Sequence, residues 1–209
     1  MERTTRSDRD AALNARTWNA IVGTRNPTPL PLDWLFRPAP GPGLELLGDI
    51  RGTTVAELGC GQGRHLAGLA ECGIARGIGI DVSPVRLGDA AFRFADVDQV
   101  EWWLGDAVTA AAHLPDLDVV FSVFGAMWFA DPQDLLPVLA HRVRLGGRLV
   151  FSCLTGRRGC PRGATGCWYA PVPPGPCGPS GTCTPYPAGC ASLPSTASPR
   201  IGSSGPRIR

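Results

Sequence analysis

Residues 55–63 read Val-Ala-Glu-Leu-Gly-Cys-Gly-Gln-Gly, and 22 residues after Gly59 a second run, Gly-Ile-Gly-Ile-Asp, ends at Asp81. An apolar run that closes on an acid, followed by glycines at three alternate positions, is a strand breaking into a nucleotide-binding turn. Gly59, Gly61 and Gly63 would leave the backbone free to bend sharply and let a ligand approach it closely. Asp81, acceptor-only when ionised, suits two neighbouring ribose hydroxyls. The chemistry these residues suggest is the binding of a nucleoside cofactor.

The elements that must position them can be read from hydrophobic periodicity. Strands are expected over Thr53–Leu58, Ala75–Asp81, Val100–Leu104, Asp118–Phe124 and Arg148–Leu154, the last entered through a Gly146-Gly147 turn. A helix over Arg64–Cys72 stops at Gly73. Ser83 followed by Pro84 caps another helix, with Leu87, Ala90, Ala91 and Phe94 as its buried stripe. Asp131-Pro132 opens a further one, with Leu135, Leu136, Leu139 and Val143 toward the sheet. Near the amino terminus, residues 9–22 place Leu13, Trp18, Ile21 and Val22 at helical spacing. A Pro-rich loop from Asn26 to Gly43 carries Trp34-Leu35-Phe36, and Leu44–Ile50 is short enough for one helical turn or two. Strands alternating with helices predict an α/β fold, a doubly wound parallel sheet covered on both faces. Ligands on such sheets bind at the carboxyl ends of the strands, where strand order reverses, and every motif above sits at such an end.

Five landmarks in order carry a resemblance. They are Glu57 with Gly59, Gly61 and Gly63; Asp81; Gly105-Asp106-Ala107; Asp118-Val-Val-Phe-Ser-Val-Phe124; and Leu145-Gly-Gly-Arg-Leu-Val-Phe151. Up to about Leu154 the chain resembles the class I S-adenosylmethionine-dependent methyltransferases, with a Rossmann-like fold. The glycine spacing differs from that of the dinucleotide fingerprint, which argues against a nicotinamide-dependent oxidoreductase, the nearest enzyme alternative.

The resemblance implies S-adenosyl-L-methionine as cofactor and a set of binding residues: Glu57, Gly59, Cys60, Gly61, Gly63, Asp81, Val82, Asp106, Ala107 and Ser122. Glu57 would fix the loop or take the cofactor's ammonium, and the cofactor's carboxylate would meet backbone N–H groups at the start of the Arg64 helix. Asp106 would accept from the adenine amino group, with an ordinary helix cap as the competing role. Ala107 would touch the adenine edge and Val82 its face. Trp128 and Phe129, after the fourth strand, would wall the site or pack between helix and sheet. No catalytic residue is assigned: His65 reads as a helix-end residue, and His113 and His141 as structural or exposed. Methyl transfer from a sulfonium needs a general base only where the acceptor must lose a proton.

Composition sets the remaining bounds. Hydrophobic residues make up 44% of 209, enough for a packed core, and no apolar run reaches the roughly 18 residues of a membrane span. The charged amino terminus lacks the apolar stretch of a signal peptide, so a cytoplasmic protein is expected. Residues 1–155 hold 14 arginines and all 18 acids, a formal charge of −4, whereas residues 156–209 hold six arginines and no acid, +6. That last segment also holds eleven prolines, ten glycines and five cysteines, with no period of 2 or 3.6. Such a segment is expected to be disordered. Its cysteines form no C-x-x-C pair, so neither a metal site nor a disulfide framework is expected.

Three segments follow: an amino-terminal helical cap and loop (1–52), the cofactor-binding core (53–155) and the Pro/Gly/Cys/Arg tail (156–209). The resembling family continues for two more strands where the tail begins. A shifted reading frame or a misassigned end would explain the change, with a genuine disordered tail as the alternative; a chain lacking those strands could be inactive. A small-molecule acceptor is expected, since no Asn/Asp-Pro-Pro-Tyr motif follows the fourth strand. The alternative outside enzymes is a nucleic-acid binder using the basic tail, although six scattered arginines are a diffuse signal. The sequence sets neither the acceptor atom nor the oligomeric state.

Overall fold

The computed structural model describes residues 6–21, 32, 34, 43–154 and 165–171. The apolar runs become one sheet: β1 Thr54–Leu58, β2 Arg76–Asp81, β3 Val100–Leu104, β4 Leu117–Val123, β5 Val143–Leu154 and β6 Thr165–Pro171, in the order β3-β2-β1-β4-β5-β6. The first five are parallel and β6 runs antiparallel to β5. Chain order reverses between β1 and β4, the switch point at which open α/β sheets bind their ligands.

Helix α1 Arg6–Ala20 precedes the sheet, and α2 Arg64–Glu71, α3 Pro84–Arg93, α4 Ala107–Ala111, α5 Ala126–Phe129 and α6 Pro132–Ala140 fill the crossovers. Two caps follow the sequence reading. The Ser83 hydroxyl accepts from the Arg86 N–H with Pro84 at the first turn, and Asp131 accepts from the Gln133 N–H ahead of Pro132.

Each face of the sheet has its own core. Val55, Val119, Phe121 and Val150 pack with α2 through Leu66 and Leu69, and with Trp34, Leu47 and Ile50. On the opposite face Ala56, Leu58, Ile78, Ile80 and Val120 meet Ala107 and Ala111 of α4 and Leu135 and Leu139 of α6. The alternation along Arg-Gly-Ile-Gly-Ile-Asp in β2 has a packing cause. Its isoleucines fill one face, while a Cβ at Gly77 would lie 3.1 Å from Leu66 and one at Gly79 only 2.7 Å from Trp102.

Several expectations are corrected. Leu13 of α1 and Ile21 just beyond it are largely exposed, leaving Trp18 as the half-buried anchor of that stripe; Val22 lies outside the described residues. Ala91 of α3 is exposed, because Leu87, Ala90 and Phe94 already fill the space against the sheet. Leu44–Ile50 shortens to a 3-10 turn over Leu44–Leu46. Trp34 is fully buried, edge-on to Phe121 at 6.2 Å, with Nε1–H donating to the Gly43 carbonyl at 2.9 Å. It therefore belongs to the core and not to the rim of a ligand site; Leu35 and Phe36 fall outside the described residues.

β5 begins earlier than expected, at Val143. The Gly146-Gly147 pair sits in an irregularity at which pairing steps from Leu117↔Val143 to Val119↔Arg148. The largest departure is β6. Residues 165–171, taken from sequence as part of a disordered tail, pair with β5 from Arg148↔Pro171 to Leu154↔Thr165. Pairing with an otherwise open strand edge supplies the order that local periodicity did not predict. The rest of the tail lies outside the described residues.

Candidate functional site

The carboxyl ends of β1, β2 and β4 open into a cleft of about 330 Å3. Its floor is the glycine loop after β1. Gly59, Gly61 and Gly63 have φ of +76°, +55° and +72°. At Gly59 the need for glycine is also steric: a Cβ would stand 2.4 Å from the Ala126 nitrogen and 2.7 Å from the Gly125 Cα. Two glycine backbones thus cross where β1 and β4 diverge, and the cleft begins at that crossing.

Asp81 closes β2 and organises the loop. One carboxylate oxygen accepts from the Gly61 N–H and the other from the Ser83 N–H, each at 2.8 Å. Burial raises its pKa, an effect partly offset by those two N–H groups and by the Arg86 charge. Each oxygen has two lone pairs, so acceptor capacity toward the cleft remains.

Glu57 is the most deeply placed acid, with 1% of its surface exposed. His65 Nδ1–H donates to its Oε1 at 3.1 Å, the polarity an ionised carboxylate requires. Its Oε2 is buried with no hydrogen-bond partner. Burial raises the Glu57 pKa, and the His65 hydrogen bond offsets part of the shift. A desolvated carboxylate oxygen left unmatched beside a cleft is a costly arrangement unless a donor arrives there.

Of the residues predicted from sequence, Glu57, Gly59, Cys60, Gly61, Asp81, Val82, Asp106 and Ala107 line this cleft. Asp106 also fills the competing role: its Oδ1 accepts from the Val108 and Thr109 N–H groups and caps α4. Cys60 is buried, and desolvation pushes its thiol well up, so it is a packing group and not a nucleophile. Two residues fall outside the cleft lining. Gly63 caps α2 with its Cα side against the Trp102 ring, where a Cβ would come within 2.2 Å. Ser122 is fully buried behind the wall; its hydroxyl donates to the Leu58 carbonyl at 2.7 Å and accepts from the Met127 N–H. It ties β1 to β4, which is why a hydroxyl is needed there without any ligand.

The structure adds residues that sequence reading passed over. Asn14 and Trp18 of α1 line the cleft, as do Arg86 and Phe124. Phe124, directly after β4, has φ of +49°, an uncommon conformation for a bulky residue and one found at functional sites. Phe129 lines the wall and meets Trp18 edge to face at 5.8 Å, whereas Trp128 stacks outside it at 6.2 Å. Phe129 thus takes the wall position that the sequence offered for Trp128 and Phe129 together, whereas no local signal pointed to Asn14 or Arg86. Among the described residues, no group of three His, Cys, Asp or Glu side chains is placed to hold a metal ion. None of the described helices is long and apolar enough to cross a membrane.

Residues 55–147 match a family model described as a methyltransferase domain. Three curated relatives are similar over the same region. A malonyl-[acyl-carrier protein] O-methyltransferase from Marinomonas sp. is 32% identical over 48% of this chain and 38% of its own length. A tRNA U34 carboxymethyltransferase from Shewanella loihica is 33% identical over 50% of this chain and 32% of its own. A ubiquinone biosynthesis O-methyltransferase from Aromatoleum aromaticum is 31% identical over 60% of this chain and 50% of its own. The chain thus spans half or less of the length of these relatives.

Proposed function

We propose that this chain, whose residues 55–147 match the methyltransferase-domain model, is an S-adenosylmethionine-dependent methyltransferase whose cleft binds S-adenosyl-L-methionine and directs methyl transfer to a small-molecule acceptor. The observation that carries this reading is the unpartnered, buried Oε2 of Glu57 beside the glycine loop. An ammonium is the donor that such an oxygen lacks. The residues around it fit the rest of the cofactor: Asp81 retains acceptor capacity for ribose hydroxyls, while Val82, Asp106 and Ala107 line the part of the cleft at the ends of β2 and β3.

When bound, the cofactor supplies a sulfonium-activated methyl group. The protein's part is to hold and exclude. Gly59 and Gly125 bring the loop and the β4 end close together, so the cleft is narrow at the switch point. Trp18 and Phe129 close one wall with apolar surface. Positioning of two reactants in such a site is worth up to roughly 7–11 kcal/mol. His65 is committed to Glu57, so no side chain is assigned as a general base. A volume of about 330 Å3 is at the small end for a ligand site. With α1 along one side, it favours a small acceptor over a macromolecule.

Calorimetric titration of S-adenosylmethionine into the 209-residue chain, with Asp81→Ala as control, tests the reading. Binding that is lost in the variant is expected, and turnover is then sought by following S-adenosylhomocysteine release across candidate acceptors. A folded chain that binds no cofactor overturns the proposal.

A further inference from the structure

Beside the glycine loop, a second network joins Asp81 to the helix that walls the cleft. Arg86 of α3 stands at its centre. Its Nη2 donates to the Ile21 carbonyl at 2.9 Å, its Nε to the Trp18 carbonyl at 3.3 Å, and its Cζ lies 4.6 Å from the centre of the Trp18 ring. These are carbonyls at the carboxyl end of α1, where a helix has acceptors without intrahelical partners and a cation is favoured. Ser83 forms the second tie: its hydroxyl donates to Asn19 Oδ1 at 2.6 Å, while its N–H donates to Asp81 Oδ1. The Ser83 hydroxyl also accepts from the Arg86 N–H, so both ties meet in one turn.

α1 depends on these ties. It is a 15-residue helix whose Leu13 is exposed, as is Ile21 just beyond it, and the apolar contact that docks it is Trp18 against Phe129. A helix of that length is marginal by itself in water. A helix marginal by itself, with no fully buried side chain among its described residues, belongs to the low-stability end of a fold, where occupation of a neighbouring site shifts its population.

We propose that Arg86 is a positioning residue that couples occupation of the Asp81 end of the cleft to the docking of α1 over it. The inference rests on the cofactor reading above. A ligand hydrogen-bonded to Asp81 fixes the 81–86 turn, and that turn presents Ser83 and Arg86 to Asn19, Trp18 and Ile21. Docking of α1 in return places Trp18 along the cleft and shields the bound ligand. The coupling is reciprocal, as linkage requires.

Hydrogen exchange with S-adenosylhomocysteine as probe tests this. In the wild type, the ligand is expected to slow amide exchange across residues 6–20. Arg86→Gln is expected to remove that ligand-induced slowing and to weaken S-adenosylhomocysteine binding by about tenfold, within the usual range of coupled sites. Arg86→Lys keeps a charge near Asp81 but loses the two-carbonyl fork, so it is expected to restore little of the α1 protection. Asn19→Ala, which cuts the other tie at an exposed helix end, is expected to reduce the slowing and stands in should Arg86→Gln fail to fold. Wild type that binds S-adenosylhomocysteine with α1 exchange unchanged overturns the coupling alone, as does Arg86→Gln with full protection and affinity. Wild type that does not bind it overturns the cofactor reading as well.

Discussion

His65 Nδ1 lies 3.1 Å from Glu57 Oε1, and the second oxygen of that buried carboxylate has no hydrogen-bond partner. The pair links the last turn of a strand to the first turn of the helix that follows the glycine loop. One oxygen is matched by the protein, and the other is the one that the proposed cofactor's ammonium would meet. A site poised in this way costs stability in the absence of its ligand.

The cost has a pH signature. Burial lifts the Glu57 pKa above the ordinary 4.5, with Asp81 raising it further and His65 opposing. The folded chain therefore binds a proton more readily than the unfolded one. The corresponding stability is full below the unfolded pKa and is lost as pH rises through the folded pKa. Glu57→Gln is expected to melt about 2–4 °C above wild type at pH 8, the shift that about 1 kcal/mol gives at this size, and to converge with it near pH 4. Asp81, shifted in the same direction, leaves a residual slope. The same variant is expected to weaken S-adenosylhomocysteine binding by about 10- to 100-fold, the worth of one hydrogen bond to a charge. Melting curves across pH and a titration check both halves; parallel curves with unchanged affinity refute the assignment.

Gly59→Ala separates close approach from backbone strain. The new methyl would sit 2.4 Å from the Ala126 nitrogen at a φ of +76°, against backbone that has nowhere to move without parting β1 from β4. The expected cost is at least about 2 kcal/mol, with cofactor affinity lost. Gly52→Ala is the control: its φ is +69° but nothing lies within 4 Å of the added carbon. It is expected to cost about 1 kcal/mol and to leave binding intact. Urea titrations of the two variants would show the difference, and equal losses would exclude a steric role for the crossing.

Trp102 supports the loop from beneath. Its ring fills the space left by the missing Cβ atoms of Gly63 and Gly79 and lies 6.4 Å from Phe94. Trp102→Ala is expected to cost about 3 kcal/mol, the lower end of the range for such truncations because the ring is only half-buried. Chemical denaturation measures that loss. Trp102→Phe, which keeps part of the ring, is expected to recover most of it.

What was legible in the sequence is what is local. The glycine loop, the acid closing β2, and the Ser83-Pro84 and Asp131-Pro132 caps each depend on residues within a few positions of one another. The five parallel strands follow from apolar runs punctuated by glycine and proline. What was not legible depends on separation along the chain. Arg86 and Trp18 meet across 68 positions, and Ser122 reaches the Leu58 carbonyl across 64. The family resemblance implied a ligand role for Ser122, near the carboxyl end of the fourth strand. Which of its neighbours takes the hydroxyl is decided by β1–β4 pairing, and no spacing rule contains that. β6 was missed for a related reason: an edge strand is ordered by the strand it pairs with, more than by its own periodicity.

That dependence makes β6 testable. β5 offers Arg148–Leu154 as a paired edge, and the opposite register runs from Thr165 to Pro171. Removing residues 156–209 exposes a long apolar edge, including the buried Leu149 and Val150, to pairing with other chains. The truncated chain is expected to aggregate on light scattering at concentrations where the full chain does not. Trp168→Pro, opposite Phe151, is the gentler probe, since proline is disfavoured in mid-strand. It is expected to lower stability by about 1–3 kcal/mol and to leave S-adenosylhomocysteine affinity close to wild type. The reason is position: β4 and β5 lie between β6 and β1, so the glycine loop, Glu57 and Asp81 do not feel the loss. Unchanged stability in both variants would show that β5 does not need this partner, and a parallel loss of cofactor affinity would show that the edge and the cleft fold as one unit.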